Sequence, residues 1–285
     1  MIALILPEKV PWESSIRATL GPHRVFRAPS VGRALGRLSA RRRIQARLSV
    51  RRAVGRLAAQ WLPTDTTLVM APSLCGAEVF AKARRRGVET LLLEDLPDLA
   101  ELHADLDAAA AQHPHEGFLN NTRASLRRVR RQQAERRLAD SLRVQGEHAA
   151  RRAGGTPLIA PEAPGSIRRT QTGFFGLAGP AMARTGALEA LSLLDEFPDH
   201  KLRIRALPVT PPAVLQHPRV VTQPGPVDVW LAPSWVESWP AEVRAAARAG
   251  VPIVGTQRAL GWETGSVHAP GDVHGLCAAV GERVG

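Results

Sequence analysis

Short apolar runs alternate with longer stretches of helical periodicity along this 285-residue chain. Ile2–Leu6, Arg24–Ala28, Thr67–Ala71, Thr90–Glu94, Ser141–Val144 and Pro157–Ala160 are brief and rich in Leu, Ile and Val, and they predict strands. A second series, Gly173–Gly176, Leu202–Ala206, Val220–Thr222, Val227–Ala232 and Pro252–Gly255, predicts five more, with helices at Ala187–Phe197, Pro240–Ala249 and Asp272–Val284. Strands that are apolar on both faces and separated by helices belong to parallel sheets covered on both sides. Pro157–Gly165, with Pro161 and Pro164, reads as an extended crossing between the two series. The expectation is an α/β chain of two doubly wound, Rossmann-like domains, 1–158 and 159–285, with the last helix packing back toward the first domain. Ligands of such sheets bind beyond the carboxyl ends of the strands, which makes a cleft between the domains the default site.

Charge changes this picture in one half only. Up to Gly155 there are 27 basic and 15 acidic residues, and after it 11 of each, so the whole net charge of +12 lies in the first half. All but Lys9, Lys82 and Lys201 of the 38 basic residues are arginine, in part a mark of GC-rich coding; a bias of that origin loads both halves alike, so the one-sided excess is the informative feature. Two segments carry it. Val31–Trp61 mixes Leu35, Leu38, Ile44, Leu48, Val54, Leu57 and Trp61 with arginines that include Arg41, Arg42 and Arg43, the pattern of an imperfect amphipathic helix, or of two joined helices, with a cationic face. Arg123–Arg137 is a second basic helix. Segments 33–56 and 123–137 therefore suit an anionic membrane surface or another polyanion. Aromatic residues do not interleave with the arginines and no nucleic-acid motif is present, so binding to nucleic acid rests on charge alone.

Other classes are excluded by what the chain lacks. Cys75 and Cys277 are the only cysteines, too few and too far apart for a disulfide framework or a thiolate zinc site. Pro7, Glu8 and Lys9 interrupt the first apolar run, and no window approaches the ~18 apolar residues of a membrane span. A cytoplasmic protein, peripheral at the inner face of the membrane, is expected. His113 and His115 have no carboxylate at a metal-binding spacing, and no metal or other cofactor is expected.

The most informative stretch is Val227–Thr256. It is a strand, a Pro233-Ser234 turn, a loop with Glu237, a helix from Pro240, then Gly250-Val251-Pro252 and another strand. A helix N-terminus beside a carboxylate can hold phosphate oxygens on backbone N–H groups while the carboxylate accepts from hydroxyls. This stretch resembles the nucleotide-sugar half of GT-B glycosyltransferases, in particular the retaining family-4-like group, whose pattern is PS-x-x-E, a helix, and A-x-G-x-P. Gly179–Gly186 resembles the loop in which that group carries Arg-Lys-Gly, Ala139-Asp140 with Glu147 the end of its first domain, and Pro270-Gly271-Asp272 its late PPGD turn.

The resemblance implies a nucleoside diphosphate sugar as co-substrate, transfer to an acceptor hydroxyl with retention and without metal, and Glu237 and Arg184 as the catalytic pair. Gly179, Arg184, Thr185, Ser234, Glu237, Ser238 and Trp239 would line the donor site. Glu94, Asp95 and His103, by their place after and near a strand of the first domain, are candidates for the acceptor. Two positions depart from the family pattern: Ala245 stands where a second Glu holds the ribose, and Thr185 where the Lys stands. These departures favour the competing reading, a GT-B-like binding protein without turnover; Glu237 and Arg184 oppose it.

Overall fold

The computed structural model describes residues 2–6, 23–27, 40–94, 96–116, 123–144, 153–157, 171–236, 241–260 and 265–284. They form two compact units. One takes the described residues within Met1–Leu99, Ser125–Gln145 and Ala149–Ile159, and the other those within Ala100–Ala124, Gly146–His148 and Ala160–Gly285.

Each unit is built on a six-stranded sheet in which every pairing is parallel. In the first, β1 (Ile2–Leu6), β2 (His23–Arg27), β3 (Leu68–Pro72), β4 (Glu89–Glu94), β5 (Ser141–Val144) and β6 (Thr156–Pro157) run in the order β2-β1-β3-β4-β5-β6. In the second, β7 (Phe174–Pro180), β8 (Lys201–Arg205), β9 (Val220–Val221), β10 (Val229–Ala232), β11 (Ile253–Thr256) and β12 (Ser266–His268) run β12-β11-β10-β7-β8-β9. These are doubly wound orders, and the direction of winding reverses between β1 and β3 and between β7 and β10. β12 is the strand that the apolar pattern does not predict. It is three residues long, its one aliphatic side chain, Val267, is half exposed, and only pairing with β11 makes it a strand.

The helices cover the sheets as periodicity predicts. Leu193, Leu194 and Ala190 of Ala187–Glu196 pack on Phe175, Leu202 and Leu231 in the second unit, together with Leu276 and Val280 of Val273–Val284. In the first unit, Val54 and Ala58 of Ala40–Gln60 pack with Val79 and Phe80 of Ala77–Arg85 over Val69 and Ala71. Gly55 permits that contact, because a Cβ there would lie 2.1 Å from the Cys75 carbonyl oxygen. The apolar stripe of the basic helix is thus only partly turned to the core: Leu57 is 55% and Trp61 72% exposed, beside the exposed Arg52 and Arg56. Among the described residues, no helix is long and apolar enough to cross a membrane.

Buried charge fixes the loops. Glu94, 2% exposed at the end of β4, accepts from Arg136 Nε at 2.9 Å and Nη2 at 2.7 Å, and Arg136 also pairs with Asp98. Burial nevertheless raises the Glu94 carboxyl above the usual carboxylate range. Glu135 on Leu126–Leu138 accepts from the backbone N–H groups of Leu74, Gly76 and Ala77, and so holds the turn after β3. Helix Leu99–Gln112 and the residues after it attach to the second unit: Asp105 pairs with Arg258, Gln112 Nε2 donates to the Gly271 carbonyl at 3.1 Å, and His113 Nε2 lies 2.8 Å from Glu189 Oε1.

Two stability tests follow. Removing Arg136 strands a buried carboxylate, so Arg136→Ala is expected to cost about 3 kcal/mol at pH 7.5. The cost should shrink at pH 5, where Glu94 takes up a proton more readily; urea unfolding at both pH values checks this. The Glu189 hydrogen bond raises the His113 pKa above 6.5, so its contribution is full below pH 6.5 and is lost as pH rises through the folded value. In His113→Gln the alkaline-side decline in melting temperature should disappear. An unchanged pH profile would show that this pair does not hold the segment.

Candidate functional site

The reversal of winding between β7 and β10 places the turns after these two strands side by side at the carboxyl edge of the second sheet. β7 ends on Gly179, at φ 79°, and Pro180; a single 3₁₀ turn, Ala183–Thr185, and Gly186, also at φ 79°, then lead into Ala187–Glu196. The Thr185 hydroxyl is held within this turn, within donating distance of the Pro180 carbonyl at 2.8 Å and accepting from Met182 N–H at 3.0 Å. Gly186 is required twice over. Its φ suits glycine, and a Cβ there would lie 2.2 Å from the Pro233 carbonyl oxygen in the turn after β10.

That contact is locked by hydrogen bonds. Trp235 N–H donates to the Arg184 carbonyl at 3.0 Å, the Ser234 hydroxyl donates to the Val236 carbonyl at 2.8 Å, and Thr256 Oγ1 at the end of β11 donates to the Ser234 carbonyl at 2.7 Å. Three strand ends therefore form one rigid edge. The Arg184 side chain issues from it, one turn ahead of the N-terminus of Ala187–Glu196. Its Nε is buried with no hydrogen-bond partner, no carboxylate among the described residues pairs with it, and burial lowers its pKa. A guanidinium that has lost water and gained no counter-charge is destabilising alone and favourable once an anion binds, and the adjoining helix N-terminus adds to the attraction.

Beside it lies a buried polar cluster. Glu189, 1% exposed in the first turn of the helix, accepts from Trp235 Nε1 at 2.6 Å through the oxygen that His113 also meets, while its Oε2 is buried without a partner. His268, at the end of β12, faces the Ala269 carbonyl with Nδ1 at 2.8 Å. That contact makes Nδ1 the protonated nitrogen and leaves the buried Nε2 as an acceptor with no partner. Burial lowers the His268 pKa and keeps the ring neutral. Trp235 closes over Gly271, where a Cβ would lie 2.4 Å from the indole. Glu189, Trp235, His113 and His268 are absent from the sequence-based site. Their only signals were positional: Glu189 follows the Arg184 turn, Trp235 lies inside the Pro233–Glu237 motif, and Gly271 is the centre of the Pro270-Gly271-Asp272 turn.

Of the residues singled out from sequence, the structure brings Gly179, Arg184, Thr185 and Ser234 together at this edge. Glu237, Ser238 and Trp239 lie outside the described residues, as does Asp95. Ala245 is exposed on Ala241–Ala249. Glu94 belongs to the first unit, where Arg136 engages both its oxygens. His103 groups with the second unit and its Nε2 lies 2.8 Å from the Ala124 carbonyl oxygen.

No family model and no curated protein sequence matches the chain. Solved structures do. An α,α-trehalose-phosphate synthase (UDP-forming) from Burkholderia vietnamiensis aligns over 99% of this chain and 91% of its own, with a TM-score of 0.55 at 8% identity. A trehalose-6-phosphate synthase studied with bisubstrate glycomimetics aligns over 99% and 90%, with a TM-score of 0.54 at 10% identity. The UDP-GlcNAc 2-epimerase from Neisseria meningitidis, bound to UDP-GlcNAc, aligns over 99% and 91%, with a TM-score of 0.50 at 9% identity. With its two doubly wound parallel sheets and these structural neighbours, the chain has the GT-B fold.

Proposed function

We propose that this protein is a glycosyltransferase that moves a sugar from a nucleoside diphosphate sugar to an acceptor hydroxyl. The observation that carries the reading is Arg184, a cation without a counter-charge on a rigid edge at the reversal of winding, next to a helix N-terminus. A diphosphate supplies the missing charge and accepts hydrogen bonds in the planar fork geometry of a guanidinium. The neighbours include an enzyme that forms UDP and one bound to UDP-GlcNAc, which supports the same donor class.

In this reading the second unit holds the donor and the first the acceptor. The acceptor oxygen bonds to the anomeric carbon as the bond from that carbon to the diphosphate breaks, and the hydroxyl proton leaves with the departing phosphate oxygens. Arg184 and the N–H groups opening Ala187–Glu196 stabilise the charge that grows on the diphosphate, so the barrier falls by electrostatic preorganisation, without a metal. Glu237, by its place three residues after Ser234, orients the sugar by accepting from its hydroxyls, with Ser238 and Trp239 beside it; Gly179, Thr185 and Ser234 shape the turns. Retention of configuration follows the resemblance to the family-4-like group. Glu94 is held by Arg136 and His103 groups with the second unit, so Asp95, by its place in the sequence directly after β4, is the candidate kept for the acceptor. The exposed Leu57 and Trp61 beside Arg52 and Arg56 support peripheral attachment to the anionic inner face of the membrane, in the cytoplasm.

A thermal-shift screen of nucleotide sugars tests the class, since a ligand at a hundred times its dissociation constant adds about 2.7 kcal/mol to stability. Arg184→Ala should weaken nucleoside diphosphate binding about ten- to hundredfold while leaving the bare nucleoside unchanged. Equal losses for both ligands would remove Arg184 from the diphosphate. Glu237→Gln should lower transfer with the melting temperature unchanged; wild-type kinetics with the bound donor would overturn its role.

A further inference from the structure

The candidate donor edge carries a negative charge of its own. Glu189 stands in the first turn of Ala187–Glu196, the helix whose opening N–H groups, with Arg184 before them, are read above as the diphosphate site. Trp235 anchors both residues: its backbone N–H donates to the Arg184 carbonyl at 3.0 Å, and its indole Nε1 donates to Glu189 Oε1 at 2.6 Å. Glu189 is 1% exposed, so solvent screens its charge little. A carboxylate in that turn repels a diphosphate and offsets the attraction of one guanidinium.

His113 supplies the charge that answers it. Its segment lies between β4 and β5 in the chain, yet it groups with the second unit. His113 Nε2 lies 2.8 Å from Glu189 Oε1, and its ring meets the Trp235 indole edge-on, with centroids 6.2 Å apart. Gln112 fixes this approach by donating to the carbonyl of Gly271, the residue that packs on the same indole. The His113 side chain is 18% exposed, so it exchanges protons with solvent. Around it stand Glu189 on the helix, Glu116 on its own segment beside the exposed His115, and Asp272 and the neutral His268 on either side of the Gly271 turn. The Glu189 hydrogen bond, helped by Glu116, outweighs partial burial and favours the protonated ring. With that proton, Arg184, Glu189 and His113 sum to one positive charge; without it they sum to zero.

We infer that His113 is a positioning residue of the donor site, acting through Glu189, and that binding of the donor diphosphate takes up a proton at His113. The step rests on the transfer reading above. A diphosphate binds better to an edge of net positive charge, so affinity falls as pH rises and the His113 proton is lost; by reciprocity, the bound diphosphate holds that proton more firmly. Calorimetric titration of UDP into the full-length protein tests this between pH 7.0 and 8.5, where the phosphates of UDP are ionised, and at pH 7.5 in two buffers of different ionisation enthalpy. Affinity should fall about five- to tenfold across the range, and the apparent enthalpies should differ between the buffers by the proton taken up. His113→Gln retains a donor for Glu189 but no charge. It should bind UDP at every pH as the wild type does at pH 8.5, with equal enthalpies in both buffers. Glu189→Gln removes the opposing charge and keeps an acceptor for Trp235, so at pH 8.5 it should bind UDP about five- to tenfold more tightly than the wild type. Weaker binding by Glu189→Gln would make this carboxylate a structural anchor only and overturn the inference. Wild-type binding without proton uptake, or uptake that persists in His113→Gln, would overturn it too and leave the transferase reading standing. Absence of UDP binding to the wild type at every pH removes the transferase reading and this inference with it.

Discussion

The approach of Gly186 to the Pro233 carbonyl is the contact on which the candidate donor edge depends. Any side chain at 186 would force the turns after β7 and β10 apart. With them would go the hydrogen bond from Trp235 N–H to the Arg184 carbonyl. Parallel pairing sends the ends of these strands to one edge, but it does not close the gap between their turns. A missing Cβ does, and the reward is a rigid backbone from which one arginine projects.

The first unit solves the same problem with charge. Its turn after β3 is held from outside, by Glu135 on three backbone N–H groups and by Arg131 on a carbonyl. Burial raises the Glu135 carboxyl to about 7, against the pull of Arg131 and of those three N–H groups. A buried carboxylate is tolerable here because the N–H groups of Leu74, Gly76 and Ala77 are all directed at it.

This use of arginine revises the meaning of the basic composition. Arg86 binds the carbonyls of Leu62, Pro63 and Thr64, Arg136 neutralises Glu94 and Asp98, and in the second unit Arg219 binds the carbonyls of Phe197 and Pro198 while Arg203 stacks on Phe174. Five N–H donors in a planar fork suit loop carbonyls that no strand or helix can satisfy. Part of the net charge is therefore mortar between elements. Arg184 and Arg128 differ from these arginines: among the described residues, the Nε of each is buried without a hydrogen-bond partner.

The order of strands and helices was legible because a buried parallel strand and an amphipathic helix leave different periods in the sequence: nine of the eleven expected strands fall on observed ones within about two residues at either end, Gly173–Gly176 falls on β7 but stops four residues short of its end at Pro180, and Pro157–Ala160 meets a two-residue strand at Thr156–Pro157 before leaving the described residues. Gly179, Arg184 and Ser234 were legible because turns at strand ends have local chemistry. β12 was not, since three residues with one aliphatic side chain carry no period. Nor were Glu189, His113 and His268, which come from a helix, a distant segment and a strand end, and which become a cluster only when the chain brings position 113 to position 189. Sequence states which residues can carry charge or accept a proton. Only the tertiary structure decides which of them are satisfied and which are left waiting for a ligand, because satisfaction depends on partners that are far apart along the chain.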